Sequence, residues 1–153
     1  MGAALCVVVV TAGAATGVFG GRERAAPASR QACPRVSTAL RADVDGDGCD
    51  DPVEFRDGVL LAGAVRARLG RPGDVVVTGR WGCERATLAL LRPATGQVFR
   101  FDGWARPGVT VTATAVATLP GATQLRAATA GPRCDELDVV DADGREVRVP
   151  VAG

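Results

Sequence analysis

The chain has 153 residues, a net charge of +1 and no histidine. That length fits one small domain, and the near-zero charge leaves no electrostatic footprint for a nucleic-acid partner. Without histidine there is no imidazole base, no Ser–His or Cys–His pair and no histidine-ligated zinc, and with aromatics at 4% of residues no enzyme is expected. All 18 basic residues are arginine, and Lys, Asn, Ile and Tyr are also missing. Most of their codons are AT-rich, which points to a GC-rich, bacterial coding sequence.

Gly2 to Gly21, GAALCVVVVTAGAATGVFGG, carries no charge. About 20 apolar residues cross a bilayer core as a helix. Residues 1–21 are therefore expected to be a transmembrane anchor, with the rest of the chain outside the cytoplasm. A cleaved signal peptide is the second reading, with small-residue sites at Ala12-Gly13-Ala14 and Ala26-Pro27-Ala28. Four consecutive valines and several glycines argue against a soluble core helix. Residues 22–36 are small, polar and proline-containing, as in a linker.

Cys6 lies in the apolar run, and the remaining four cysteines lie beyond it. An even set in an exported domain predicts two disulfides. The expected pairs are Cys33–Cys49, a clamp across an acidic loop, and Cys83–Cys134, joining two later segments. No C-x-x-C occurs, so a zinc site is not expected.

Residues 37–153 read as short strands and turns. A strand ends at Ala42, and Pro52 to Phe55 follows the acidic loop. Arg56-Asp57-Gly58 turns into Val59 to Leu61, because Asp-Gly favours tight hairpins. Asp74 to Thr78 and Leu88 to Leu91 are strands, and Pro93-Ala94-Thr95-Gly96 turns into Gln97 to Phe101. Val109 to Leu119, VTVTATAVATL, alternates throughout and predicts one long strand. Glu136 to Val140 should pair with Arg145 to Val149 across Ala142-Asp143-Gly144. No amphipathic helix is evident. Trp81 and Trp104 are expected to pack in the core, since large aromatics dominate small β cores; the alternative is a sugar- or partner-binding platform.

Self-comparison finds a worn repeat. LRADVDGDGCDD from Leu40 aligns with LRAATAGPRCDE from Leu125, and Gly79 to Glu84 occupies the equivalent place between two strands. Three units follow, at about 37–72, 73–120 and 121–153.

The intact acidic loop, DVDGDGCDD from Asp43, and LLRPATGQVFRF from Leu90 resemble the FG-GAP/VCBS repeats of integrin-α-type propellers. The resemblance covers residues 37–149. It implies an all-β fold of three degenerate, propeller-blade-like antiparallel units. It also implies bound calcium and an adhesion or carbohydrate-associated role outside the cell. Three units fall short of a closed propeller of four to eight blades. A compact three-unit fold or assembly with another chain must then cover the strand edges.

Within the loop, Asp43, Asp45 and Asp47 stand at alternate positions and converge on one point. Gly48 permits the sharp turn, Cys49 offers its backbone carbonyl, and Asp51 closes the set. Hard oxygens in a flexible cage suit Ca2+. Glu54 also satisfies the EF-hand spacing. Against a dockerin-like or EF-hand module stand Pro52, where the exit helix should begin, and Asp50, where an apolar residue is usual. The other two loops lack the acids. One offers Arg80, Gly82 and Glu84; the other offers Ala128, Ala130 and Pro132. Arg80 and Arg133 bring positive charge there, available to nearby carboxylates.

The expected function is a non-enzymatic, calcium-binding, extracytoplasmic β-repeat domain with a structural or adhesive role at the cell envelope. The alternative is a module that binds a cell-surface polysaccharide or protein, its calcium purely structural.

Overall fold

The computed structural model describes residues 32–151, apart from 84, 107, 108, 132 and 133. The apolar run Gly2 to Gly21 and the linker up to residue 31 lie outside the described residues. Among the described residues no helix is long and apolar enough to cross a membrane.

The described chain is all-β. Eleven strands form three antiparallel sheets. The first contains β1 (Leu40–Ala42), β2 (Asp51–Arg56), β3 (Val59–Ala62) and β4 (Val65–Arg68), in that order. The second contains β5 (Val75–Gly79), β6 (Thr87–Arg92), β7 (Gln97–Phe101) and β8 (Ala113–Thr118). The third contains β9 (Ala122–Thr129), β10 (Asp135–Asp141) and β11 (Glu146–Val149). Each sheet is a meander whose neighbours in sequence are neighbours in space.

Local chemistry sets the turns. Asp57 and Gly58 sit at φ 52° and 79°, and Arg56 pairs with Val59. Two successive positive φ angles match the twist of the flanking strands, and Asp-Gly tolerates them. Gly96, at φ 71°, ends the β6–β7 turn; a Cβ there would meet the Leu119 carbonyl oxygen at 2.2 Å. At the β10–β11 turn, Asp141 Oδ1 accepts the N–H of Asp143 at 2.9 Å and of Arg145 at 2.8 Å.

The middle sheet is buried on both faces. Leu88 and Leu90 of β6 pack with Ala42, Val53, Leu60 and Ala62 of the first sheet. Ala89 and Leu91, the alternate residues, pack with Leu125, Leu137, Val139 and Val149 of the third. Successive strand residues point to opposite faces, so the first and third sheets cover opposite sides of the second. This explains why LALL in β6 is a continuous apolar run, as expected for a strand covered twice. The first strands of the sheets lie side by side, β1 with β5 and β5 with β9. Thr78 Oγ1 donates to the Arg41 carbonyl at 3.0 Å across the first of these junctions.

The outer faces of the stack are polar. Arg41, Glu54, Arg56, Arg66 and Arg68 lie opposite the core on the first sheet. On the third sheet Arg126, Asp138 and Arg148 form one cross-strand row. The three sheets thus form a finite stack, not a closed ring. Among these polar residues Leu61, on the outer face of the first sheet, is 41% exposed.

Two sequence expectations change. The alternating run Val109 to Leu119 yields a strand only over Ala113–Thr118. Its partner β7 ends at Phe101, paired with Ala113. Asp102 then closes the ladder by exchanging backbone and side-chain hydrogen bonds with Thr112. Before residue 113 the alternating run has no β7 residue to pair with, and only an isolated bridge joins Arg106 to Val109. Alternation marks a chain suited to a strand, but a ladder needs a neighbour. Conversely, β4 was not expected: Gly63-Ala64 is an inconspicuous turn and VRAR carries two arginines.

Two predictions follow from packing and charge. Leu90 is 1% exposed between two sheets, so Leu90→Ala should cost about 2–5 kcal/mol in urea unfolding. Asp138 is buried on β10, and Arg148 Nε and Nη2 donate to its two oxygens at 2.8 and 3.1 Å. That hydrogen bond, opposed by burial and aided by the guanidinium charge, holds the Asp138 carboxyl below its ordinary value of 3.8. A depressed carboxylate stabilises the fold above its unfolded pKa and ceases to as pH falls through the folded one. Stability should therefore drop below about pH 4, and Arg148→Met should flatten that part of the acid-unfolding profile.

Candidate metal centre

The acidic loop, residues 43–50, joins β1 to β2. Ala42 pairs with Asp51 at its base. Within it, carboxylates and backbone N–H groups organise one another. Asp43 Oδ1 accepts the Gly46 N–H at 2.6 Å, and its Oδ2 accepts that of Gly48 at 3.1 Å. Asp45 Oδ1 accepts from Asp47 N at 3.0 Å, and Asp47 Oδ1 from Cys49 N at 2.7 Å. Aspartate side chains commonly form such local turns. Gly46 and Gly48 lie at φ 86° and 91°, so two glycines, not Gly48 alone, permit the winding.

The winding gathers Asp43, Asp45 and Asp47. One carboxylate oxygen from each lies within 4.8 Å of the others. Among the described residues, none of the three is in an ion pair. The second oxygens of Asp45 and Asp47 accept no hydrogen bond there. The other two residues expected in the ligand set are placed differently. Asp51 opens β2 and is not in the three-residue group; its Oδ2 accepts the Val44 N–H at 3.1 Å. Cys49 lies two residues beyond Asp47, its N–H given to Asp47 and its sulfur bonded to Cys33. Asp50 pairs with Arg41 at 3.5 Å, outside the cluster. The loop is flanked by strands on both sides, so no helix–loop–helix is formed.

Two arginines from the second sheet's loops meet this loop. Arg106 Nη2 donates to the Val44 and Asp45 carbonyl oxygens at 2.9 and 3.3 Å. The Arg85 guanidinium lies over Gly46, where a Cβ would meet it at 3.1 Å. Sequence reasoning missed both. Arg106 stands 61 residues from Asp45, and nothing local marks it as a neighbour.

Both expected disulfides are present. Cys33–Cys49 ties the segment before β1 to the acidic loop, and Cys83–Cys134 joins the corresponding loops of the second and third sheets. Two disulfides point to an oxidising, extracytoplasmic compartment. Cys83 itself lies at φ 65°, a conformation that favours glycine. At the same corner, Asp135 Oδ2 accepts the Arg80 backbone N–H at 2.8 Å, so Arg80 meets a carboxylate through its backbone. Glu84, Pro132 and Arg133 lie outside the described residues. All three loops connect the first strand of a sheet to its second, which is the equivalence that the aligned sequences implied.

Trp81 and Trp104 are 2% and 7% exposed. Trp104 Nε1 donates to the Ala86 carbonyl at 2.9 Å. Both pack in the core, and neither presents an open ring face.

Comparison with protein-family models, curated proteins and solved structures found no match.

Chain-entropy reasoning gives the disulfides, with separations of 16 and 51 residues, about 3 and about 4 kcal/mol respectively. Cys83→Ser/Cys134→Ser should therefore destabilise more than Cys33→Ser/Cys49→Ser in denaturant unfolding. Non-reducing peptide mapping should recover these two pairs and no others.

Proposed function

We propose that this chain is a non-enzymatic, extracytoplasmic β-repeat module whose β1–β2 loop binds calcium, with a structural or adhesive role at the cell envelope. The observation that carries this reading is the convergence of Asp43, Asp45 and Asp47, none of which is in a salt bridge among the described residues. Three carboxylates so close repel one another in water and more strongly at a protein surface. A divalent ion removes that repulsion.

The donor chemistry selects the ion class. The loop's cysteine, Cys49, is oxidised in a disulfide, so soft thiolate ligation is not on offer. What remains is carboxylate and carbonyl oxygen, the set suited to Ca2+ or Mg2+. An exposed loop suits the flexible coordination of Ca2+ better than the near-octahedral demand of Mg2+. Asp43, Asp45 and Asp47 would hold the ion, with the Cys49 carbonyl and Asp51 as further oxygen donors in the proposed set. The ion would supply charge neutralisation and would tie the loop's successive turns together. The likeness of DVDGDGCDD and RPATG to FG-GAP/VCBS repeats favours the same ion and a blade-like origin for the sheets. Residues 1–21 would tether the module to the membrane.

The test uses conservative variants. Asp45→Asn and Asp47→Asn keep the oxygen that accepts the local backbone N–H but remove charge. In EDTA each should be at least as stable as the parent, because repulsion is relieved. In Ca2+ at about a hundredfold its Kd, the parent should gain about 2.7 kcal/mol while the variants gain little. Calorimetry that detected no calcium binding at millimolar concentration, with unchanged melting in the variants, would sink the proposal.

A further inference from the structure

Trp81 and Arg85, which follow β5, and Asp102, Trp104 and Arg106, which follow β7 at the same end of the second sheet, border a cavity of about 430 Å³. That size falls within the range of small-molecule sites. Among the described residues its wall carries Arg85, Arg100 and Arg106 and, of carboxylates, Asp102. Asp102 already accepts the Thr112 N–H at 2.8 Å. Among the described residues, none of the three arginines is in an ion pair.

The bonds these arginines do make go to neutral carbonyls. Arg100 Nη1 donates to the Val151 oxygen at 3.0 Å, and Arg106 Nη2 donates to those of Val44 and Asp45. Such bonds fix a guanidinium in place but leave its charge standing. Two more donors belong to wall residues, Arg100 Nε and Trp81 Nε1; both are buried with no acceptor among the described residues. They are covered, so a ligand in the cavity would meet mainly the guanidinium ends. Among the described residues the wall is thus rich in positive donors, two of them fixed, and poor in acceptors. A guanidinium fork matches the oxygens of a carboxylate, sulfate or phosphate, often through two bonds at once.

We propose that this cavity binds a small oxyanion, or an oxyanion group on a larger ligand, through Arg85, Arg100 and Arg106. Recognition is by charge and hydrogen bonding, since Trp81 and Trp104 offer no open ring face for stacking on a sugar. Arg85 and Arg106 also contact the acidic loop. The anion therefore sits beside, and separate from, the proposed cation, on the same end of the sheets.

The two tryptophans are the only ones in the chain and both line the cavity, so intrinsic fluorescence reports on it directly. The full chain in mild detergent is titrated with sodium sulfate, sodium phosphate and galacturonate, each against sodium chloride of matched ionic strength. EDTA is present throughout, so the outcome does not depend on cation binding. A saturable change with at least one oxyanion, beyond that with chloride, is expected; comparing the three identifies the preferred headgroup. Arg85→Met and Arg106→Met should each weaken binding about tenfold or more, the size of one lost charged hydrogen bond. Arg68→Met, on the outer face of the first sheet, should leave it unchanged. Arg85 makes no hydrogen bond among the described residues, so Arg85→Met is the variant expected to melt like the parent. No response beyond chloride, or undiminished binding by a folded Arg85→Met, overturns the proposal.

Discussion

The second sheet must be covered on both faces, and the rest of the molecule is arranged around that constraint. Leu88 and Leu90 cannot share a face with Ala89 and Leu91, because a strand directs successive side chains to opposite sides. A single partner sheet would leave half of them in water. The first and third sheets meet this demand from opposite directions. Their own outer faces can then be polar, with the Arg126–Asp138–Arg148 row on one end and the arginine-rich face of the first sheet on the other. A stack of three is complete by this logic, whereas a ring would require every sheet to be apolar on both sides.

Stacking also decides where the loops fall. The first strands of the sheets lie together, so the loops that follow them gather at one end. There Arg85 and Arg106 of the second sheet meet the acidic loop, and the Cys83–Cys134 bridge joins the loops of the second and third sheets. The loop that carries the acids is stiffened by a local disulfide and meets arginines from another sheet. The two loops without such an acidic run are cross-linked to each other.

Much of this was legible because it is local. Asp57-Gly58, Pro93 to Gly96 and Ala142 to Gly144 are turns whose backbone demands are written in the residues themselves. The alignment of Leu40 with Leu125 placed the loops at equivalent positions. The alternating spacing of Asp43, Asp45 and Asp47 gave their convergence directly. Errors arose where a neighbour decides the outcome. VTVTATAVATL alternates along its whole length, yet only the part opposite β7 forms a ladder. No strand is expected at VRAR, yet β3 offers it an edge.

The sequence by itself determined the all-β class, the turns, the four cysteines available for pairing and the acidic loop. Each depends on interactions within a few residues or on counting. Only the tertiary structure decided that the sheets stack instead of closing, and that Arg85, Arg100 and Arg106 surround one cavity beside the acids. Those outcomes depend on which apolar face covers which. They bring together residues far apart in the chain, and no local spacing records such a meeting.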